Sequence, residues 1–287
     1  MHELYGGKVL VKYFPVSHIY KVSEDGGKTW ESKPGVTTIG GIKDKSMALV
    51  SWATELARFH LLDLLAAGKK ISDEDVYEAC SLHTVKKEEA ADLGTRIHAM
   101  VEEYVLWKMG KGPAPLMSDD PNVQIGFDAW IDFVESRHKV KFVDSEKLVY
   151  SRNHGFVGRT DILAEIDGSF DLLDLKSSNG LYNGVRMQTA AYMEAYMEET
   201  LSLPKSKGRA IERRWAIRVA KESEADYKVR MEKKGKSVFE PYQVFEAMNL
   251  DEDRDHFEDD FGAFLNAKGL YQWDKATDFY LLARAKK

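Results

Sequence analysis

Hydrophobic positions recur with two different periods along the chain. Up to residue 45 they alternate with polar positions in short runs separated by Gly and Pro, which is typical of strands and turns. Beyond residue 45 they recur every three or four residues, as in helices, until short β-branched runs return near residue 140. The pattern predicts one domain with a β-rich segment, a helical region, a sheet core and a C-terminal helical segment, at 1–45, 46–139, 140–250 and 251–287.

The first two segments differ in their local signals. Residues 8–22 alternate like a β-hairpin interrupted by Pro15, and the Glu-Asp-Gly-Gly sequence at 24–27 is a strong turn signal. The β-branched run 36–39 lies in the same β-rich segment and precedes two glycines. In the helical region that follows, the spacing of apolar residues predicts helices at 46–67, 73–82, 85–109 and 121–137.

The sheet core combines strand patterns with one amphipathic helix at 185–201. A tight turn at 166–169 joins two of its strands. Strands are predicted at 140–150, 155–166, 170–175, 211–219, 228–231 and 242–247, and a last helix at 251–267. Strands with helices before, within and after them predict an α/β fold, in which a mixed central sheet is flanked by helices.

The composition restricts the class of protein. No apolar run approaches the length that spans a bilayer, and the N-terminus resembles neither a signal peptide nor a transit peptide. The one cysteine, Cys80, excludes an internal disulfide and any four-cysteine zinc or iron–sulfur site. We therefore expect a protein of the reducing cytoplasm with no membrane partner, the bacterial host cytoplasm if the gene is phage-encoded.

Charge is unevenly distributed along the chain. The net charge of −6 is unfavourable for binding nucleic acid, but basic residues outnumber acids from 205 to 236, and acids dominate from 246 to 260. A local basic surface can bind a phosphate backbone, whereas the alternative is that both runs are solvated faces. The candidate DNA contacts are Arg209, Arg213, Arg214 and Arg218, with Lys43 and Lys45 nearer the N-terminus.

The strongest candidate chemistry lies in residues 158–176. Asp161 follows a glycine-containing turn or strand start, and Asp174 and Lys176 lie two residues apart on the next predicted strand, so they share a face. Two carboxylates and a lysine on adjacent strands suit a divalent cation and attack of water on a phosphodiester. The alternative is an exposed ladder of charges, but the run Asp171–Leu175 is too apolar for that.

Three further residues become candidates through their helical positions. His98 lies on the predicted helix 85–109, with Glu102 one turn later on the same face. Gln188 and Tyr192 are one turn apart on the helix after the Asp174 strand, where they could orient water, contact phosphate or stack on a base. Taken singly, a structural histidine, a polar helix start and a core tyrosine are the commoner interpretations.

The order of these motifs is specific. Along the chain the motifs follow in this order: a glycine four residues before His98, Glu146, Gly-x-x-Asp161, Asp174-x-Lys176 and Gln188-x-x-x-Tyr192. This order resembles the RecB-like branch of the PD-(D/E)xK (restriction-endonuclease-like) nuclease superfamily, and within it phage-type exonucleases and the mitochondrial genome maintenance exonuclease. The resemblance covers residues 36–196.

The resemblance implies a role for each matched residue. One or two Mg²⁺ or Mn²⁺ ions would be held by Asp161, Asp174, His98 and the main-chain carbonyl of Leu175. Glu146 would be a ligand of a second metal ion, and the alternative is that it is an ordinary strand residue. Lys176 would orient or deprotonate the attacking water, with its pKa lowered by the neighbouring cation. Gln188 would support the catalytic site and Tyr192 would contact DNA. Unlike CRISPR-associated relatives, this chain cannot hold a four-cysteine iron–sulfur cluster.

The resemblance also implies a function, namely metal-dependent hydrolysis of DNA from a free strand end in phage-type recombination or DNA processing. A single-strand annealing or binding protein is a possible partner beside DNA. Two alternatives stay open: a structure-specific endonuclease on the same fold, and a catalytically silent DNA-binding recombination partner.

Overall fold

The computed structural model describes residues 1–137, 139–204, 208–235, 241–252 and 256–285. The described strands are β1 to β9, at His2–Leu4, Val9–Phe14, Ile19–Ser23, Glu31–Lys33, Val140–Ser151, Phe156–Ile166, Ser169–Lys176, Arg213–Val219 and Phe245–Asn249. The described helices are α1 to α7, at Val36–Gly40, Ser46–Ala66, Asp73–Lys108, Pro121–Glu135, Gly184–Ser202, Glu224–Lys233 and Phe257–Ala285. The protein is thus α/β, with a mixed sheet and flanking helices.

The central sheet has five strands in the order β5-β6-β7-β8-β9. All neighbours are antiparallel except β7 and β8, which are parallel because α5 carries the chain back between them. The predicted tight turn between β6 and β7 is confirmed. Asp167 and Gly168 have φ of 52° and 94°, the two left-handed positions of a type I′ hairpin turn.

Two apolar layers cover the sheet. On one face Leu173, Leu175 and Trp130 belong to a core shared with α3 and α4. On the other face Leu172 and Tyr192 belong to a core shared with α1, α5 and α7. Successive residues of β7 therefore enter different cores, as the period of two predicts.

A second sheet, in the order β1-β2-β3-β4, packs against β5 and β6. The Tyr5 hydroxyl donates a hydrogen bond to the Tyr150 carbonyl at 2.8 Å, and Arg152 forms an ion pair with Glu24 at 2.7 Å. One buried and one exposed contact thus join the N-terminal sheet to the central sheet. The predicted hairpin within 8–22 is present as β2 and β3.

Five predicted elements differ from the structure. The β-branched run 36–39 forms α1, because Val36 and Ile39 are buried beneath it in the core. The predicted helices 73–82 and 85–109 are one helix, since no Gly or Pro interrupts the chain between them. The stretch 228–231 is helical within α6, which begins at the Ser223 N-cap, and the C-terminal helix extends well beyond residue 267.

Among the described residues, no helix combines the length and the apolar character needed to cross a membrane.

Candidate active site

Three acidic residues form a row across three adjacent strands. The β5–β6 pairing aligns Ser145 with Ile162 and Lys147 with Thr160, so Glu146 lies opposite Asp161. The β6–β7 pairing ends at Ile162 and Leu173, so Asp161 and Asp174 are the next residues along. The sheet register therefore brings together Glu146, Asp161 and Asp174, which are far apart in sequence.

The regular sheet hydrogen bonds are interrupted at this row. Asp161 Oδ2 accepts a hydrogen bond from the Leu175 main-chain N–H at 2.8 Å, in place of a main-chain acceptor. Glu146 has a φ of 52°, a left-handed conformation that is costly for a residue with a side chain. Backbone strain of this kind is concentrated at functional sites.

Asp174 is the most deeply buried acid of the row. Its side chain is fully buried (0% exposed) and forms an ion pair with Lys176 Nζ, yet neither carboxylate oxygen accepts a regular hydrogen bond from a described residue. Burial raises the pKa of Asp174 and the negative charge of Asp161 adds to this, although Lys176 opposes both effects. A buried carboxylate in this state is a natural ligand for a cation.

Lys176 has a raised pKa in the protein without a cation. The expectation of a pKa lowered by a neighbouring cation concerns the metal-bound site and stays a prediction. Burial lowers the pKa of Lys176, but the charges of Asp174 and Asp161 outweigh burial, so the net pKa is raised. The ammonium group is therefore charged near neutral pH, which suits it to stabilise negative charge.

His98 comes from α3 and faces the acids. Its Nδ1 lies 4.0 Å from Asp161 Oδ2. Burial lowers the pKa of His98 and the Lys176 charge lowers it further, against weaker opposing effects of Asp174 and a hydrogen bond to the Leu175 main chain. The imidazole is consequently neutral near pH 7, the form that binds metal ions. One turn before it, Gly94 lets α3 approach β7, because a Cβ there would lie 2.7 Å from Ser177 Oγ.

Glu146 lies at the outer end of the row. Its carboxylate is 3.5 Å from the Arg159 guanidinium. Burial, together with the negative charges of Asp161 and Glu102, raises the pKa of Glu146 to about 7. Three acids that repel one another in this way would be relieved by a divalent cation.

Gln188 and Tyr192 are joined, but Tyr192 is not exposed. Gln188 Nε2 donates a hydrogen bond to the Tyr192 hydroxyl at 2.9 Å, whereas the Tyr192 side chain is only 3% exposed. Its ring packs on Gly158, where a Cβ would lie 2.5 Å from Tyr192 Cε1. The prediction that Tyr192 contacts DNA is therefore corrected: it supports Gln188 from inside the core.

The predicted DNA-contacting arginines are mostly engaged with acids. Arg214 is fully buried and forms ion pairs with Asp251 and Asp260, which removes it from the candidate DNA contacts. Arg213 forms an ion pair with Asp171, Arg218 with Glu246, and Arg209 with Glu165 and Glu212. Parts of the acidic run thus neutralise parts of the basic run, whereas residues 205–207, 236 and 253–255 of these runs lie outside the described residues.

Two clefts lie next to the acid row, one lined by Lys176, the ion-pair partner of Asp174, and the other lined by Glu146. A cleft of about 330 Å³ is lined by α1, the start of α5, Lys176, Gln188 and Lys45. A second cleft, of about 540 Å³, is lined by α3 and includes His98, Glu102, Glu146 and Ser177. Lys176 and His98 thus lie on walls that solvent and a ligand can reach.

The donor set suits a hard divalent cation. Carboxylate and main-chain oxygens with one imidazole match Mg²⁺ or Mn²⁺, and the buried Asp174 carboxylate already binds one positive charge, the Lys176 ammonium. Among the described residues, however, no three His, Cys, Asp or Glu side chains are already arranged as a ligand group. Because the Lys176 ammonium forms an ion pair with the Asp174 carboxylate, a cation would compete with the lysine for this carboxylate.

Sequence reasoning missed two residues beside this site. Arg159, inside the Gly-Arg-Thr-Asp motif, pairs with Glu146, and Ser177 packs against Gly94. In the sequence, the one indication of their importance is that Arg159 follows Gly158 and Ser177 follows Lys176, two residues of the candidate motifs. Their roles depend on contacts between β5, β6 and α3, which cannot be deduced from the sequence.

Comparisons with known proteins give only weak likenesses. No protein-family profile matches the chain, and no curated protein matches it. A crystal structure of an alkaline exonuclease (LHK-Exo) from Laribacter hongkongensis has a TM-score of 0.30 and 11% identity, covering 87% of this chain and 94% of that one. LHK-Exo in complex with dAMP has a TM-score of 0.23 and 14% identity, covering 64% and 85%. Neither TM-score is high enough to establish a shared fold.

Proposed function

We propose that this protein is a divalent-metal-dependent deoxyribonuclease of the PD-(D/E)xK type, which hydrolyses phosphodiester bonds from a free strand end. One observation carries the proposal. Glu146, Asp161 and Asp174 lie side by side on three strands, with Lys176 and His98 beside them. A purely structural role does not explain why the fully buried Asp174 has, among the described residues, no partner other than the charged Lys176.

The residues divide the work by their chemistry. The Mg²⁺ or Mn²⁺ ion would be held by Asp161, Asp174, His98, the Leu175 carbonyl and Glu146. When bound, such an ion polarises the phosphate and lowers the pKa of water. Lys176, protonated because of its two acidic neighbours, would donate to a phosphate oxygen and stabilise the charge that develops there. Gln188, oriented by the Tyr192 hydroxyl, would position water or phosphate at the cleft.

Binding of DNA would use the cleft that contains Lys176. Lys45 lines this cleft, and Lys43 is exposed nearby on the same connection between α1 and α2. Contacts of this kind bind the phosphate backbone and weaken with added salt. Arg209, Arg213 and Arg218 stay candidates only if DNA displaces their present acidic partners. A role in phage-type recombination, with a single-strand annealing or binding protein, is part of the proposal.

The test is cleavage of end-labelled linear single-stranded and duplex DNA beside circular single-stranded DNA, with Mg²⁺, Mn²⁺ or EDTA. We expect metal-dependent loss of the linear substrates only, and none with Lys176→Ala. Labels at the 5′ and 3′ ends then give the polarity. Cleavage of circles would indicate the endonuclease alternative. No cleavage with any metal would contradict the proposal and favour the DNA-binding alternative.

A further inference from the structure

An aromatic cleft lies beside the acid row, at the tip of the N-terminal sheet. Tyr13 on β2 and Tyr20 on β3 are paired in register, with ring centroids 4.7 Å apart and an interplanar angle of 28°. Tyr13 shares the inner face of β2 with the buried Val9 and Val11. The inner face thus continues past the core, where Tyr13 and Tyr20 are only half-buried.

The turn between these strands adds a third ring. His18 is exposed, and its Nδ1 is 3.0 Å from the Tyr13 hydroxyl. Its φ of 51° is left-handed, so the turn holds the imidazole against Tyr13 at some backbone cost. Tyr13, His18 and Tyr20 form one wall of a cleft of about 290 Å³, and Thr37 and Thr38 of α1 form the other. We call this the tyrosine cleft.

Two contacts connect the tyrosine cleft to the acid row. Thr37 also lines the cleft that contains Lys176, so the two clefts adjoin at α1. Arg159 has its guanidinium 5.2 Å from the centre of the Tyr13 ring and 3.5 Å from Glu146. The Arg159 side chain is 32% exposed, and its Nε donates to no described residue.

The chemistry of this junction suits one nucleotide. An aromatic wall binds a nucleobase by stacking, whatever the identity of the base, and the threonine hydroxyls opposite can form hydrogen bonds with the edge of the base. A guanidinium with an unused donor suits a phosphate oxygen. A base that is paired in a duplex cannot enter such a cleft without leaving its stack.

We infer that the tyrosine cleft binds the unpaired base of a nucleotide flanking the scissile phosphate, and that Arg159 binds that nucleotide's phosphate. The inference rests on the proposed nuclease function and adds its substrate class, a single-stranded DNA end. The tyrosine cleft would thus make the enzyme prefer unpaired ends over blunt duplex.

The test compares Tyr13→Leu and His18→Ala with the wild-type protein on a linear single-stranded oligonucleotide. Loss of one stacked base corresponds to roughly 5- to 150-fold in affinity, so we expect KM to rise about tenfold or more with kcat nearly unchanged. Phe14→Leu is the matched control, because Phe14 is on the opposite face of the same strand. His18 is exposed, so His18→Ala keeps the test valid if Tyr13→Leu fails to fold.

A single abasic site moved along the substrate locates the stacked base. In the wild-type protein, an abasic site at one position should raise KM. In Tyr13→Leu, an abasic site at that position should raise KM no further, because both changes remove the same contact. The inference would be overturned if the abasic site raised KM as much in Tyr13→Leu as in the wild-type protein, or if Tyr13→Leu and His18→Ala left KM unchanged on the intact substrate. Binding of a fluorescein-labelled oligonucleotide to Lys176→Ala measures the tyrosine cleft without cleavage. Failure of the proposed nuclease function would instead appear as a wild-type protein that binds but does not cleave.

Discussion

Asp171 and Asp174 lie three residues apart on β7, and both are fully buried. Asp171 accepts two hydrogen bonds from Arg213, at 3.0 and 2.7 Å, and one from Trp215 Nε1 at 3.1 Å. Asp174 accepts no regular hydrogen bond from a described residue and has only its ion pair with Lys176. At the residue scale, Asp171 has the hydrogen bonds of an acid that stabilises the fold, whereas Asp174 is the acid that the proposed function assigns to a cation.

The raised pKa values of the acid row predict that cation binding depends on pH. Glu146, with a pKa of about 7 against an ordinary 4.5, is protonated in much of the metal-free protein at pH 6 and must lose that proton to bind a cation. Mn²⁺ affinity should rise by up to about tenfold per pH unit for each proton released, between pH 5 and 7. The same raised pKa makes the Glu146 contribution to the stability of the metal-free protein fall as pH increases from 4.5 to 7.

Titration calorimetry in two buffers of different ionisation enthalpy measures the released protons. We expect proton release at pH 6 and little at pH 8, with a shallower pH dependence in Glu146→Gln. An affinity that does not change between pH 5 and 7 would contradict this assignment of the row.

Gly158 predicts a steric effect on the support of Gln188. A Cβ at Gly158 would lie 2.5 and 2.7 Å from two atoms of the buried Tyr192 ring, which has little room to move. Gly158→Ala should therefore lower the free energy of unfolding by about 1–3 kcal/mol and reduce activity. Urea unfolding and the end-labelled DNA assay measure the two effects.

Gly262→Ala is the matched control, since no atom lies within 4 Å of a Cβ at that position of α7. It should be neutral or stabilising by up to about 1 kcal/mol. If the two alanine variants had equal stability and activity, the packing of Tyr192 on Gly158 would not matter as described.

At the element scale, position in the sheet decides what sequence reasoning can predict. The central strands and the turn between β6 and β7 could be predicted, because each apolar run is short and ends at clear turn signals. The run 36–39 has β-branched residues but forms α1, since burial against α5 and α7 outweighs local propensity. The stretch 228–231 is apolar at every second position, yet the Ser223 N-cap and the acids after it favour α6.

Contacts between elements also explain why the arginines that were predicted to contact DNA are paired with acids instead. Charge runs in the sequence do not reveal which side chains meet, and here the acidic run returns beside β8. Arg214 Nε is 3.1 Å from Asp251 Oδ2, and Arg214 Nη2 is 2.9 Å from Asp260 Oδ2, so one buried guanidinium joins β8 to the start of α7. Arg214 of the basic run is therefore a structural link between β8 and α7 rather than a DNA contact.

Arg214 therefore predicts a large loss of stability. Arg214→Ala leaves two acids without their buried partner and should reduce the free energy of unfolding by about 3–5 kcal/mol. Arg209→Ala removes a half-exposed arginine with surface ion pairs and should cost less than about 1 kcal/mol. Urea denaturation gives both changes in the free energy of unfolding, from the shift of the midpoint when the dependence on urea concentration has the same slope. Similar losses of stability in the two variants would contradict the structural role of Arg214.

At the scale of the whole molecule, the site depends on contacts between distant parts of the chain. Motif order in the sequence allows His98, Asp161, Asp174 and Lys176 to be proposed together, and the structure places them together. The sequence alone does not show that α3 approaches β7 at Gly94, or that the N-terminal sheet brings Tyr13 to Arg159. These approaches depend on the packing of whole sheets and helices, which no local pattern contains.

The central claim is that Asp174 serves catalysis at the expense of stability. The most direct measurement determines both single-turnover cleavage of a linear DNA and the free energy of unfolding, for Asp174→Asn and Asp171→Asn. We expect Asp174→Asn to lose cleavage by about a thousandfold or more and to be at least as stable as the wild-type protein. Asp171→Asn should be less stable by about 1–3 kcal/mol and keep most of its activity. Near-native cleavage by Asp174→Asn, or the same pattern in both variants, would contradict the account.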